Sequence, residues 1–266
     1  MSFASEELAE EAVSARRRNR FGRWFERRRP APLDVLTPAM QWGRFRTWIT
    51  AVLCRPALLR ARRRAWEAYA PIRERLDLSW EFQPGDRIGR FAKHISGMRA
   101  ADPVRYLEIG SFEGGSIAFV HGLLKGHVRI TAIDPFIDYS ELAGRQMGEV
   151  YKKFIANIAA VGATDVVRVL KGRSLDCLPK LIDAGETFDV IFIDGSHANL
   201  DVLVDAALAW QLLGRGGLMI FDDYWYRRPD LGRSFRPKLA IDAFVGSMSH
   251  QIEVLDVAGQ VFIRRK

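Results

Sequence analysis

The chain has 266 residues, 48% of them apolar, enough for one α/β domain of ordinary size with a real core and an added extension. Its two cysteines, Cys54 and Cys177, have neither C-x-x-C nor finger spacing, which argues against a disulfide framework or a zinc site and for a reducing, cytoplasmic compartment. The formal charge of +8 is uneven: residues 1–64 carry 15 Lys/Arg against 6 Asp/Glu, the remainder 25 against 26, so the body lacks the basic face of a nucleic-acid binder.

The first residues, with Glu6, Glu7, Glu10 and Glu11, oppose a secretory leader, and no uncharged apolar run reaches the about 18 residues of a membrane span. Residues 1–39 hold Arg16-Arg17-Arg18, Arg27-Arg28-Arg29 and prolines 30, 32 and 38, a composition that predicts weak order. From Met40 to Cys54, Trp42, Phe45, Ile49, Val52 and Leu53 recur at helical spacing with Arg44 and Arg46 off the stripe. Arg60, Arg62, Arg63 and Arg64 follow. Such a basic amphipathic helix packs on its own domain, mediates a homo-oligomer, or lies on an anionic membrane surface. We therefore expect an N-terminal extension over 1–83 and a domain over 84–266.

From Pro84 the pattern is regular. Ile88, Phe91, Ile95 and Met98 mark a helix; strands follow at about 105–110, 129–134, 166–170, 188–194 and 217–222, with helices near 115–125, 141–160, 174–184 and 198–213. Strands separated by helices predict a doubly wound parallel sheet covered on both faces. Ile252–Asp256 and Gln260–Arg264 are joined by only three residues, too few for a parallel crossover, so they form an antiparallel C-terminal hairpin at one edge.

The residues that carry chemistry sit at the predicted carboxyl ends of these strands, where open α/β sheets bind ligands. Tyr106-Leu107-Glu108-Ile109 runs into Gly110-Ser111-Phe112-Glu113-Gly114-Gly115-Ser116, and the next strand closes on Asp134. Glycines let a nucleoside lie against the main chain, and an acid at the next strand end accepts ribose hydroxyls. The spacing cannot be laid over G-x-G-x-x-G, so a nucleoside without a pyrophosphate fits better. Asp194 ends one later strand and Asp222-Asp223 another. As neighbours they would place three like charges together, which a hard divalent cation such as magnesium would neutralise; alternatively Asp194 caps a helix. His197 is either the base that deprotonates an acceptor hydroxyl or a polar surface residue. Ser174 either reaches an adenine edge or caps a helix.

This set resembles the class I S-adenosylmethionine-dependent methyltransferases, in the branch with Glu108-Ile109-Gly110-Ser111-Phe112-Glu113-Gly114-Gly115-Ser116, Ile193-Asp194-Gly195-Ser196-His197 and Phe221-Asp222-Asp223-Tyr224. The resemblance implies a Rossmann-like sheet of seven strands and a cofactor site at Glu108, Gly110, Ser111, Gly114, Ser116, Asp134, Ser174 and Asp194. It also implies magnesium on Asp194, Asp222 and Asp223, and O-methylation of a small-molecule hydroxyl acceptor, a sugar or natural product. In the branch acting on catechols a lysine stands where His197 stands here, which opens the identity of the base. The arm over 1–83 matches no part of the shared domain.

Overall fold

The computed structural model describes residues 38–53, 55–79, 86–96, 98, 102–137 and 149–266. The basic arm over 1–37 and residues 141–148 of the predicted helix lie outside the described residues.

Two helices precede the sheet, α1 (Pro38–Leu53) and α2 (Arg55–Arg73), followed by α3 (Asp86–Ile95). The sheet strands are β1 (Val104–Ile109), β2 (Val128–Asp134), β3 (Val167–Lys171), β4 (Phe188–Ile193), β5 (Leu213–Phe221), β6 (Ile252–Val257) and β7 (Val261–Arg265). Between them run α4 (Gly115–Leu123), α5 (Val150–Ala160), α6 (Ser174–Asp183), α7 (Asn199–Leu212) and α8 (Pro237–Ser247). The order is β3-β2-β1-β4-β5-β7-β6, with β1 to β5 parallel and β7 antiparallel to both neighbours. The predicted seven-stranded, mostly parallel sheet with its C-terminal hairpin is the observed one.

The central strands are apolar on both faces because both are covered. Leu107, Ile191 and Met219 face the core built with α6, α7 and α8, whereas Tyr106, Val190 and Leu218 face the core built with α2, α3, α4 and α5. In the second core the fully buried Phe91 meets Phe192 edge-on at 5.0 Å and Phe262 at 6.0 Å. α8 was absent from the sequence reading, although Pro237 at its start and Leu239, Ile241, Phe244 and Val245 at helical spacing signal it.

The N-terminal helices pack on this body. Tyr69 of α2 is buried, its ring edge-on to Phe119 at 5.3 Å. On α1, Met40 and Gly43 face the sheet, with Gly43 against Val254 and Val257, while Trp42, Phe45 and Trp48 are 59%, 47% and 61% exposed. Close approach to β6 selects the glycine side of the helix and leaves the bulky aromatic side outward. Those rings follow one another at 5.6 and 6.3 Å along the helix, and Arg44 lies over Trp225.

Candidate functional site

Register builds the site. Ile109 pairs with Ile133 on one side and Ile193 on the other, and Ile193 pairs with Phe221. The following residues, Gly110, Asp134, Asp194 and Asp222, therefore form one row at the carboxyl edge. Backbone hydrogen bonds extend the ladder by that one step: Gly110 N–H to Ile133 O, Asp194 N–H to Ile109 O and Asp222 N–H to Ile193 O.

Gly110 has φ +89°, and a Cβ there would lie 2.5 Å from Gly195 Cα and closer still to the Asp194 carbonyl oxygen. The glycine is thus demanded first by the crossing backbone of β4, and only beyond that by a ligand. Gly114, φ +82°, is the N-cap residue of α4. Asp134 ties the loop down: its carboxylate accepts the Phe112 N–H at 2.8 Å and the Phe136 N–H at 2.6 Å. Phe112 and Phe136 are both left-handed, at φ +46° and +52°, a cost that clusters at functional sites. The two oxygens offer about four acceptor sites and the amides of Phe112, Phe136 and Ser111 use three, so the carboxylate can still accept a ribose hydroxyl. Burial raises the Asp134 carboxyl pKa, opposed by these amide hydrogen bonds.

Three residues of the expected cofactor set are committed inward. Glu108 is wholly buried and accepts the Ser116 hydroxyl at 2.7 Å and the Tyr106 hydroxyl at 2.9 Å, beneath α4. Ser174 bonds Asp205, which is pushed up to about 6 mainly by burial. Burial also lifts Glu108 from its ordinary 4.5 to about 7, against its hydroxyl donors. An acid with a folded pKa above its unfolded one stabilises the fold least when ionised. The penalty grows from pH 4.5 and levels off above 7, at about 3 kcal/mol. Glu108→Gln is therefore expected to melt higher than the wild type above pH 7, the gap closing on acidification. Thermal melts from pH 4 to 9 check this, and a gap that is constant or widest in acid contradicts it.

Asp194, Asp222, Asp223 and His197 come together as the sequence reading required, and with them comes a residue it missed, Arg87 at the start of α3. Arg87 Nη1 lies 3.0 Å from Asp222 Oδ2 and Nη2 lies 2.8 Å from Asp223 Oδ1. Asp222 also accepts Gln260 Nε2 at 3.3 Å and the Asp223 N–H at 2.6 Å. Asp223, left-handed at φ +51°, holds His197 Nε2 at 2.7 Å through its other oxygen, and His197 stacks on Tyr226. Burial, then the charges of Asp222 and Asp223, push the Asp194 carboxyl well above the usual range. Asp223 goes the other way: His197 and Arg87 overcome its burial and hold it far below the usual range.

Among the described residues, the acid and imidazole ligand atoms that lie within 4.8 Å of one another belong to Asp194, His197 and Asp223. The carboxylates of Asp194 and Asp223, with Asp222 beside them, are hard oxygen ligands that suit a divalent cation. Asp222, the third member of the expected trio, is adjacent but engaged by Arg87. The cluster needs positive charge, and the guanidinium supplies it.

Residues 107–224 match the family model described as a methyltransferase domain. The chain is 32% identical to "O-methyltransferase hkm8" of Aspergillus hancockii over 130 residues, 48% of this chain and 46% of that protein. It is 33% identical over 125 residues to the uncharacterized protein R132 of Acanthamoeba polyphaga mimivirus, covering 46% of this chain and 52% of that one. The chain thus spans about half the length of the curated relatives it matches. In fold it is similar to MycE methyltransferase from the mycinamycin biosynthetic pathway, with a TM-score of 0.54 at 20% identity over 76% of this chain and 54% of that one. The family match runs from β1 through the end of β5, so residues 107–224, lying in a seven-stranded sheet of this order, are similar to a methyltransferase domain and share the Rossmann-like fold.

Proposed function

We propose that the protein transfers a methyl group from S-adenosylmethionine to a hydroxyl oxygen of a sugar or natural product, with a divalent cation at the acid cluster. The observation that carries this reading is the single row Gly110, Asp134, Asp194, Asp222, which sets a nucleoside-type edge beside a cluster of acids. Two comparisons support it: the Aspergillus relative is an O-methyltransferase, and MycE was solved with Mg, SAH and mycinamycin VI.

The cofactor would supply the methyl group and the cation would polarise the acceptor hydroxyl; the chain does the rest. Asp134 and the Gly110–Ser116 loop hold the nucleoside, and Asp194, Asp222 and Asp223 hold the cation. His197, oriented through Nε2 by Asp223, keeps Nδ1 to take the acceptor's proton. The protein's part is then chiefly orientation and charge placement.

Calorimetric titration of S-adenosylmethionine, with magnesium and with chelator, tests the reading. Specific binding is expected in the wild type and a loss of at least about tenfold in Asp134→Ala, the worth of one charge-assisted hydrogen bond. Absence of binding under both conditions would sink it.

The exposed rings of α1 support a second partner, an anionic membrane surface. No described helix is long and apolar enough to cross a bilayer. Trp42, Phe45 and Trp48 suit the interfacial layer, and the surplus of nine positive charges within residues 1–64 complements anionic headgroups. The full chain should sediment with phosphatidylglycerol vesicles, and the Trp42→Ala/Trp48→Ala variant should lose most of that binding. Equal sedimentation of both proteins, or wild-type dimers by light scattering that the double variant abolishes, would assign the stripe elsewhere.

A further inference from the structure

We infer that Arg87 is the resident counter-ion of the acid cluster, and that a divalent cation held by both Asp222 and Asp223 must displace it. The inference rests on the metal reading above and concerns how that site is loaded. Three observations carry it.

The guanidinium bridges two different carboxylates, Asp222 at 3.0 Å and Asp223 at 2.8 Å, so it spans the gap between the residues that the metal reading needs together. The Asp222 side chain is 1% exposed, and burying it ionised requires a partner at all times. Asp194 adds a third acid at the same edge, and Arg87 also feels its charge. A guanidinium stays charged at any accessible pH. Arg87 therefore cannot yield its place by losing charge. It must move.

Its tether allows this. The Arg87 side chain is 30% exposed and reaches the cluster from the first turn of α3, whereas the helix itself is anchored elsewhere: Phe91 and Ile95 are fully buried, and Arg90 pairs with Asp256. The arm can swing toward solvent while α3 stays docked. A divalent ion arriving while the arm remains would meet a unit positive charge on the far side of the same carboxylates, a repulsion of several RT at these separations.

The test is metal affinity. Mn2+ is titrated into metal-free wild type, Arg87→Gln and Arg87→Lys, with free Mn2+ read by electron paramagnetic resonance. Arg87→Gln should bind Mn2+ at least tenfold more tightly, and Arg87→Lys, which keeps the charge, should stay near the wild type. Melting of the same proteins gives a second readout: Arg87→Gln should melt lower than the wild type without metal, and saturating Mn2+ should raise it by more than it raises the wild type. Unchanged or weaker Mn2+ binding in Arg87→Gln would overturn the inference and make Arg87 a positioning residue, leaving the metal reading intact. No Mn2+ binding by any of the three proteins would overturn the metal reading itself.

Discussion

Asp223→Asn is expected to lower turnover of any hydroxyl acceptor the wild type methylates by about 10²–10³-fold, while S-adenosylmethionine binds as before. The substitution is chosen for the backbone. Asp223 is left-handed at φ +51°, and asparagine is as well suited to that region as aspartate, so the fold bears little added strain. What goes is one negative charge, at the carboxylate that holds His197 with one oxygen and Arg87 with the other. Asp134, which would hold the cofactor, ends β2, three strands from β5 with β1 and β4 between them, and is not disturbed. Single-turnover rates and cofactor titrations on both proteins separate the two effects. A variant that retains full turnover, or that loses cofactor binding in step with rate, rules out this division of labour.

Gly110→Ala is the second large effect, expected to cost about 3 kcal/mol or more, roughly 6–12 °C in Tm, with cofactor binding lost. The cost has two parts, a left-handed φ of +89° that an alanine resists and a Cβ driven into the backbone of Asp194 and Gly195. Gly162→Ala isolates the first. Gly162 has φ +70° with nothing within 4 Å of its Cβ position, so that variant should lose only about 1–2 kcal/mol. If the two variants melt together, the crossing of β1 and β4 is not what fixes the glycine.

The sheet was legible because its strands are short apolar runs ending in glycine or acid, and because a three-residue link forces a hairpin. The site was legible for the same reason: Asp134, Asp194 and Asp222 each follow the last apolar residue of a strand. Strand ends alone do not tell how deep a side chain lies, so Glu108 and Ser116, inside the glycine motif, read as ligand residues although they bond each other beneath it. Arg87 escaped for a different reason. With Arg90 and Lys93 it makes a basic stripe at helical spacing, which in sequence is the pattern of a solvated face; its partners lie 135 and 136 residues away. On α1 the sequence left open what the apolar stripe meets, and a single glycine decides which face approaches β6.

The same basic stripe has a consequence for the order in which the molecule comes into being. Arg90, Lys93 and His94 all converge on Asp256 of β6, and Arg87 on Asp222 and Asp223. On a ribosome α3 emerges long before any of these acids: Arg87 meets its partners once β5 is out, and Arg90 and Lys93 only when the last hairpin follows. Strands β1 to β4 can assemble meanwhile from nearby sequence, so the acid cluster gains Arg87 once β5 is out, and Asp256 with the rest of the stripe pairs last, as translation of the hairpin finishes.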